Sequence, residues 1–280
     1  MKIDLKDVTL CVADSVTPDL SIRAIKKSQE QCNFGRSIFF TDVDIQSDDN
    51  YEIIKIKKIK SINDYSNFII KDLNSHIKTK YALVIQWDGY VIDANMWRNE
   101  FLYYDYIGAK WDWHKDGKTV GNGGFSLRSK KLLNITASSD FLFIKDIPED
   151  VQICRLNRQI LVSNHSINFA DENTADFFSY ERSIPNLPSF GFHGLFNMWR
   201  HCEDKEMGLI VKELDAHRCK SREYIELMIQ FYALRKFKLL KEMYNNAINK
   251  MTKDDFFKSI VSETGNHDFA RMLFKLCLLL

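Results

Sequence analysis

Residues 81–88 read YALVIQWD. Ala82 to Ile85 are aliphatic without a break, and the run ends in Gln86, Trp87 and the carboxylate of Asp88, with Gly89 behind it. So short an apolar run, with no polar face, predicts a strand buried on both sides, as strands inside parallel sheets are. Similar runs stand upstream at VTLCVA (8–13) and SIFFTD (37–42). Between them DSVTPDLSIRAIKKSQEQC supplies a turn and then a helix, with apolar Leu20, Ile22, Ala24 and Ile25 near its start. After YEIIKIKKI comes SINDYSNFIIKDLNSHI, where Phe68, Ile69, Leu73 and Ile77 share a helical face. Strand, helix, strand, strand, helix, strand predicts a Rossmann-like α/β fold, a mixed and mainly parallel central sheet flanked by helices. Ligands of such sheets lie beyond the carboxyl ends of the strands. Asp88 is at one of those ends.

Further along, residues 89–195 turn irregular, with short strands, aromatic residues and glycines, and SIPNLPSFGFHG is the clearest loop. Beyond 195 the pattern is helical: REYIELMIQFYALRKFKLLKEMYNNAINKM and DDFFKSIVSE are amphipathic, separated by Asn, Thr-Lys-Asp and Gly-Asn breaks. The expected organisation is a sheet domain over 1–200 and a small α-helical appendage over 201–280. The closing ARMLFKLCLLL is either a core helix of that appendage or a contact with a membrane surface.

Composition narrows the function. With 39 basic and 38 acidic residues the net charge is +1, which argues against a nucleic-acid partner. The lysines of KIKKIK (55–60) alternate with isoleucine and read as an exposed strand with a solvated face. Cys11, Cys32, Cys154, Cys202, Cys219 and Cys277 are scattered without a C-x-x-C pair, which suits buried thiols in a reducing compartment. MKIDLKDVTLCVAD lacks the unbroken apolar segment of a signal peptide, and no stretch reaches the roughly 18 apolar residues of a membrane span. A cytoplasmic chain is expected, or one peripheral at the inner membrane surface.

Several residues are placed to carry chemistry. A carboxylate at the position of Asp88 is costly to desolvate unless a positive partner meets it, and oxygen donors suit Mg2+ or Mn2+. Asp-Gly is equally a turn in which the aspartate caps the backbone. FLYYDYIGAKWDW (101–113) is dense in aromatics. Tyr104, Tyr106 and Trp111 suit either stacking on a sugar or filling a core, whereas Asp105 in that setting needs a hydrogen-bond partner or a role. VGNGGFSLRS (120–129) brings three glycines in four positions, broken only by Asn122. They permit either a bend at a sheet edge or close approach of a ligand to bare backbone; the pattern is not a phosphate loop. In IPEDVQICRL (147–156), Pro148, Glu149 and Asp150 mark a helix start, and such carboxylates are also placed to act as a general base. FGFHG (190–194) sets His193 between glycines.

Taken in order, VIQWDGYV, FLYYDYIGAKW, VGNGGFSLRS, PED, FSYE and PSFGFHG resemble a largely uncharacterised glycosyltransferase-like domain family. That family resembles the GT-A superfold of nucleotide-sugar glycosyltransferases. The resemblance is densest over 81–195, weaker over 8–80, and does not reach the helical tail. It implies a hexosyltransferase-like enzyme moving sugar from a nucleotide-diphosphate donor, UDP in the first place, to a hydroxyl of a glycan, lipid-linked glycan or polysaccharide precursor. It implies a divalent metal, Mn2+ or Mg2+, at the place of a D-x-D motif, where Gln86-Trp87-Asp88 stands with Gln86 replacing the first acid. Asp88 and His193 would hold the metal, and Gln86 would lie with Asp88 at the donor. Val12, Ala13, Asp14 and Ser15 would cradle the nucleotide. Trp87, Asp105, Tyr106, Trp111, Asn122, Gly123, Gly124 and Phe125 would line the sugars. Asp150, or else Glu149, would be the base of an inverting transfer. The Gln86 departure keeps open a donor-binding protein without transfer activity, and the helical tail keeps open an interaction scaffold.

Overall fold

The computed structural model describes residues 2–46 and 48–280. The chain forms two compact units, Met1–His193 and Gly194–Leu280. The helical unit begins ahead of residue 201, with a turn of 3-10 helix over Leu195–Arg200.

In the first unit the elements run β1 (Ile3–Ala13), α1 (Pro18–Gln31), β2 (Cys32–Thr41), β3 (Glu52–Lys55), α2 (Ile62–Asn67), β4 (Tyr81–Ile85), β5 (Tyr90–Val91) and β6 (Tyr106–Ile107). They continue with β7 (Phe125–Ser129), α3 (Lys130–Ala137), α4 (Glu149–Val151), α5 (Arg158–His165), α6 (Glu172–Phe178), β8 (Ser179–Tyr180) and β9 (Gly191–Phe192). The main sheet has the order β3-β2-β1-β4-β7-β6. β1 to β4 are parallel, and β7 is antiparallel to both β4 and β6. This is the mixed, mainly parallel α/β sheet expected from the apolar runs.

Alternation along the strands buries both faces of the sheet. Cys11, Ala13, Ile38, Phe40, Ala82 and Val84 face Phe68, Ile69, Leu73 and Leu133 from the helical segments on one side. On α1, Leu20, Ala24 and Ile25 are buried, as are Leu10, Val12, Phe39, Leu83 and Ile85 between them along the strands. Two expectations change in detail. The 61–77 helix begins with Ser61 capping the amide of Asp64, then widens to a π-helix over Phe68–Asp72 and tightens to a 3-10 turn over Leu73–His76. KIKKIK is not a strand: β3 ends at Lys55, while Ile56 and Ile59 turn back to pack on the core. Lys57 and Lys58 instead line an open cavity of about 970 Å3 shared with Asn63, Asp72, Phe143 and Lys145.

The second unit comprises α7 (Asp204–Glu213), α8 (Arg222–Ala233), α9 (Phe237–Ile248), α10 (Lys253–Thr264) and α11 (His267–Leu279). A break between α8 and α9 carries no glycine or proline; Arg235 makes it by adopting φ 57°. α11 buries Ala270, Leu273 and Cys277, the core-helix alternative for ARMLFKLCLLL. Among the described residues no helix is long and apolar enough to cross a membrane.

Candidate functional site

A second, three-stranded sheet of order β5-β9-β8 decides which residues meet. β5 starts just after Asp88-Gly89, and β9 ends just before His193. The two are antiparallel with Tyr90 opposite Phe192, so the residues preceding one lie beside the residue following the other. β8 runs parallel to β9 with Tyr180 opposite Phe192, so Glu181 leaves at the same end as His193. The small sheet thereby gathers Asp88, Glu181 and His193 at the carboxyl end of β4.

The imidazole is held from both sides. Its Nε2 lies 3.3 Å from Asp88 Oδ1 and 3.2 Å from Gln86 Oε1. Its Nδ1 lies 3.2 Å from Glu181 Oε1 and 3.2 Å from the Asn122 carboxamide nitrogen. With Glu181 accepting the Nδ1 proton, Nε2 faces two oxygens, an arrangement that is attractive only when Nε2 carries a proton or faces a cation. Burial opposes the charged imidazole, yet the carboxylates of Asp88 and Glu181 outweigh it and hold the His193 pKa well above its ordinary value. The cluster thus favours positive charge at the imidazole.

Among the described residues no group of three or more histidine, cysteine, aspartate and glutamate side chains is arranged as a metal cage. The donors at hand are one carboxylate, one carboxamide oxygen and one imidazole nitrogen. Such an oxygen-rich set with few protein ligands fits a Mg2+ or Mn2+ that takes its remaining ligands from a phosphate and water.

The glycines of VGNGGFSLRS explain themselves through their neighbours. A Cβ on Gly121 would lie 2.2 Å from the Trp111 ring, one on Gly123 would lie 1.8 Å from Glu149 Oε1, and one on Gly124 would lie 2.0 Å from His193 Nε2. The space expected for a sugar against Gly123 and Gly124 is therefore filled by the protein's own side chains. Asn122, which none of these contacts requires to be glycine, takes φ 61°. Its carboxamide is buried against His193.

Beneath Gly123 is a second cluster. Glu149 is buried, and its Oε1 accepts from Arg128 Nη2 at 3.0 Å. Arg128 does not titrate near neutrality; burial pushes the Glu149 carboxyl up to about 7 against the pull of that guanidinium. Asp150 is the partly exposed member of the pair. Its Oδ2 accepts the Gly123 amide at 3.0 Å and its Oδ1 that of Val151 at 2.8 Å. Burial raises its pKa while these two amides lower it, leaving it above the usual carboxylate value. Pro148 precedes the helix without a side-chain cap, and of the two carboxylates that follow only Asp150 bonds an amide of the first turn, that of Val151.

Most of the remaining expected site residues are held in the core or in loop hydrogen bonds. Val12 and Ala13 are buried in β1. Asp14 is a structural hub: it accepts from the amides of Val16 and Thr17 and from the hydroxyls of Thr17 and Ser21, closing the loop onto α1. The hydroxyl of Ser15 accepts the Ile59 amide. Asp105 lies at the amino-terminal edge of β4, since it accepts from Ser129, the residue opposite Tyr81. It also binds the Asn168 amide, so its partner is structural. Tyr106 and Trp111 belong to the core with Phe141, Ile153 and Leu161. Phe125 is fully buried against Phe178 and Phe190. Trp87 is half-buried beside Asp88. Arg128 was not anticipated: as one term of the alternation FSLRS it reads as the exposed face of a strand, whereas it is fully buried. Glu181 was visible only as the last residue of FSYE.

The fold and this acidic, histidine-containing edge define an α/β protein with a candidate ligand site beyond the carboxyl ends of its parallel strands. Residues 49–193 match the model of the family described as protein of unknown function (DUF5672), and the chain belongs to that family. No curated protein sequence matches the chain. Among solved structures it is similar to the mannosyltransferase PcManGT from Pyrobaculum calidifontis in complex with GDP-Man and Mn2+. Identity there is 9% over 98% of this chain and 80% of that one, with a TM-score of 0.43. It is also similar to the galactosyltransferase LgtC in complex with donor and acceptor sugar analogs, with 12% identity over 66% of this chain and 86% of that one and a TM-score of 0.42.

Proposed function

We propose that the chain is a nucleotide-sugar glycosyltransferase, with Asp150 as the base of an inverting transfer to a hydroxyl acceptor. One observation carries the reading. Gly123 and Gly124 are consecutive, and the first backs onto Glu149 and donates to Asp150 while the second backs onto His193. A cluster suited to positive charge and a carboxylate placed as a base therefore meet adjacent glycines, which supports transfer from a diphosphate leaving group.

A divalent ion held by Asp88 and His193, with Gln86 beside them, would supply the charge that a departing diphosphate needs. The chain's own residues do the rest. Glu181 orients the imidazole, and Gly123 and Val151 hold the Asp150 carboxylate. The acceptor oxygen bonds to the anomeric carbon and gives its proton to Asp150, while the bond from that carbon to the nucleoside diphosphate breaks and the diphosphate leaves with the electron pair. The raised pKa of Asp150 brings it towards the working pH of a general base. Glu149, turned inward to Arg128, is not placed to touch an acceptor. A UDP-sugar donor and a glycan or polysaccharide-precursor acceptor rest on the motif order alone.

Gln86 favours a second reading, a nucleotide-sugar-binding protein without transfer, because one carboxylate holds a cation less firmly than two. A crystal structure with UDP or GDP and Mn2+ tests the site: the diphosphate should lie against Asp88 and His193 with its sugar side towards Asp150. A nucleotide bound elsewhere, or none at millimolar concentration, removes the proposal.

A further inference from the structure

We propose that Arg128 is a positioning residue for this transfer: buried under the site, it fixes both Gly123 and Glu149 and thereby sets where the Asp150 carboxylate stands. The inference rests on reading Asp150 as the base.

Arg128 lies on β7, an interior strand of the main sheet, opposite Ala82 on one side and Tyr106 on the other. Its neighbour Leu127 shows what such a position ordinarily holds. A buried guanidinium paired with a carboxylate is commonly no more stabilising than apolar side chains of similar bulk, so sheet stability alone does not account for it. The orientation of its fork indicates what does. A guanidinium whose only task was to neutralise Glu149 would give two parallel hydrogen bonds to that carboxylate. Here only Nη2 reaches Glu149, and both Arg128 Nη1 and Glu149 Oε2 are buried without a hydrogen-bond partner among the described residues. Nε is spent instead on Ser126 Oγ at 3.0 Å, and Nη2 also reaches the Gly123 carbonyl at 3.5 Å. Ser126 Oγ donates in turn to the same carbonyl at 3.2 Å.

Gly123 is consequently held on three sides. Arg128 and Ser126 fix its carbonyl, Glu149 presses against its α-carbon, and its amide is left pointing at Asp150 Oδ2. Because Glu149 and Asp150 are adjacent, Arg128 reaches Asp150 by two routes, through Gly123 and through the chain. The ring of Tyr106, 5.3 Å from the guanidinium carbon, walls the far side. The charge of Arg128 also favours the ionised form of Asp150, against burial and the charge of Glu181.

The test pairs a double variant, Arg128→Met with Glu149→Gln, which removes both charges at similar bulk, with Arg128→Lys, which keeps the charge but not the fork. Carbon-detected NMR follows the Asp150 carboxyl, assigned by its loss in Asp150→Asn, together with the Gly123 amide. The titratable and charged groups that interact electrostatically with that carboxyl are Arg128, Glu149, Glu181, Tyr106 and Cys154, of which only the first two are changed. The expected result is a raised Asp150 midpoint in the double variant and a displaced Gly123 amide in both. Turnover should fall about tenfold or more with donor KM within about twofold of the wild type. A folded double variant with a wild-type Asp150 midpoint and Gly123 amide overturns the proposal. Should that variant not fold, Arg128→Lys with wild-type Gly123 amide and turnover overturns it. Failure of the underlying reading looks different, as Asp150→Asn transferring sugar at the wild-type rate.

Discussion

Asp88 and His193 are brought within 3.3 Å of each other by two strands of two residues each, Tyr90–Val91 and Gly191–Phe192. Neither strand would hold alone. Packing of Tyr90 against Phe192 at 4.8 Å between ring centroids supports the pair, and Gly89 leaves room for the Phe192 carbonyl. The metal half of the proposed site therefore depends on a small, locally built sheet.

It follows that Asp88→Ala and His193→Ala should each weaken binding of nucleoside diphosphate with Mn2+ by about tenfold to a hundredfold. Glu181→Gln should weaken it less, by loosening the imidazole. Isothermal titration reads all three; wild-type affinity in Asp88→Ala would remove that residue from the site.

The adjacent glycines should separate the two halves. Gly124→Ala drives a methyl into His193 and is expected to lose Mn2+-dependent nucleotide binding. Gly123→Ala meets the Glu149 carboxylate, itself locked by Arg128, and should cost about 1–3 kcal/mol of stability. Thermal melts and titrations of both variants check the contrast.

Asp14 should behave as a structural residue. With its carboxylate bonded to two amides and two hydroxyls, Asp14→Ala is expected to lose about 2–4 kcal/mol in denaturant unfolding. Nucleotide affinity measured below the melting temperature should change by less than about threefold. A large affinity loss without a stability loss would restore it to the donor site.

The pH dependence of stability has a definite sign. Glu149 is raised when folded, from 4.5 to about 7, so the folded chain binds more protons than the unfolded chain in that window. Its contribution is fully present below 4.5 and is lost as pH rises through about 7. In Glu149→Gln the unpaired Arg128 lowers stability by an amount that does not vary with pH, and the slope due to Glu149 disappears. Urea unfolding of both chains at intervals from pH 4.5 to 8 measures the difference in slope.

Much of this architecture is legible in the sequence, because strands buried on both faces are mostly apolar without a polar face, as VTLCVA, SIFFTD and YALVIQWD are. KIKKIK misleads because Ile56 and Ile59 satisfy the core from a backbone that has already left the sheet. Asp88 and His193 stand out from their Asp-Gly and Gly-Phe-His-Gly settings, but Asp14 at the end of β1 has the same appearance and a different task. Composition cannot separate a carboxylate that binds a ligand from one that ties down its own loop. Arg128 is hidden for a related reason: alternation marks it as outward, and only the fold places Glu149 above that face. Likewise the glycines announce close approach without saying of what, and the answer is Trp111, Glu149 and His193.

The most direct test is release of nucleoside diphosphate from a panel of UDP- and GDP-sugars with Mn2+, comparing the wild type with Asp150→Asn at matched donor occupancy. Release by the wild type is expected with at least one donor, and about a hundredfold or greater loss in Asp150→Asn with donor Kd unchanged. Undiminished release by Asp150→Asn would remove that residue as the base, and no release by the wild type while donor binds would leave a binding protein without transfer.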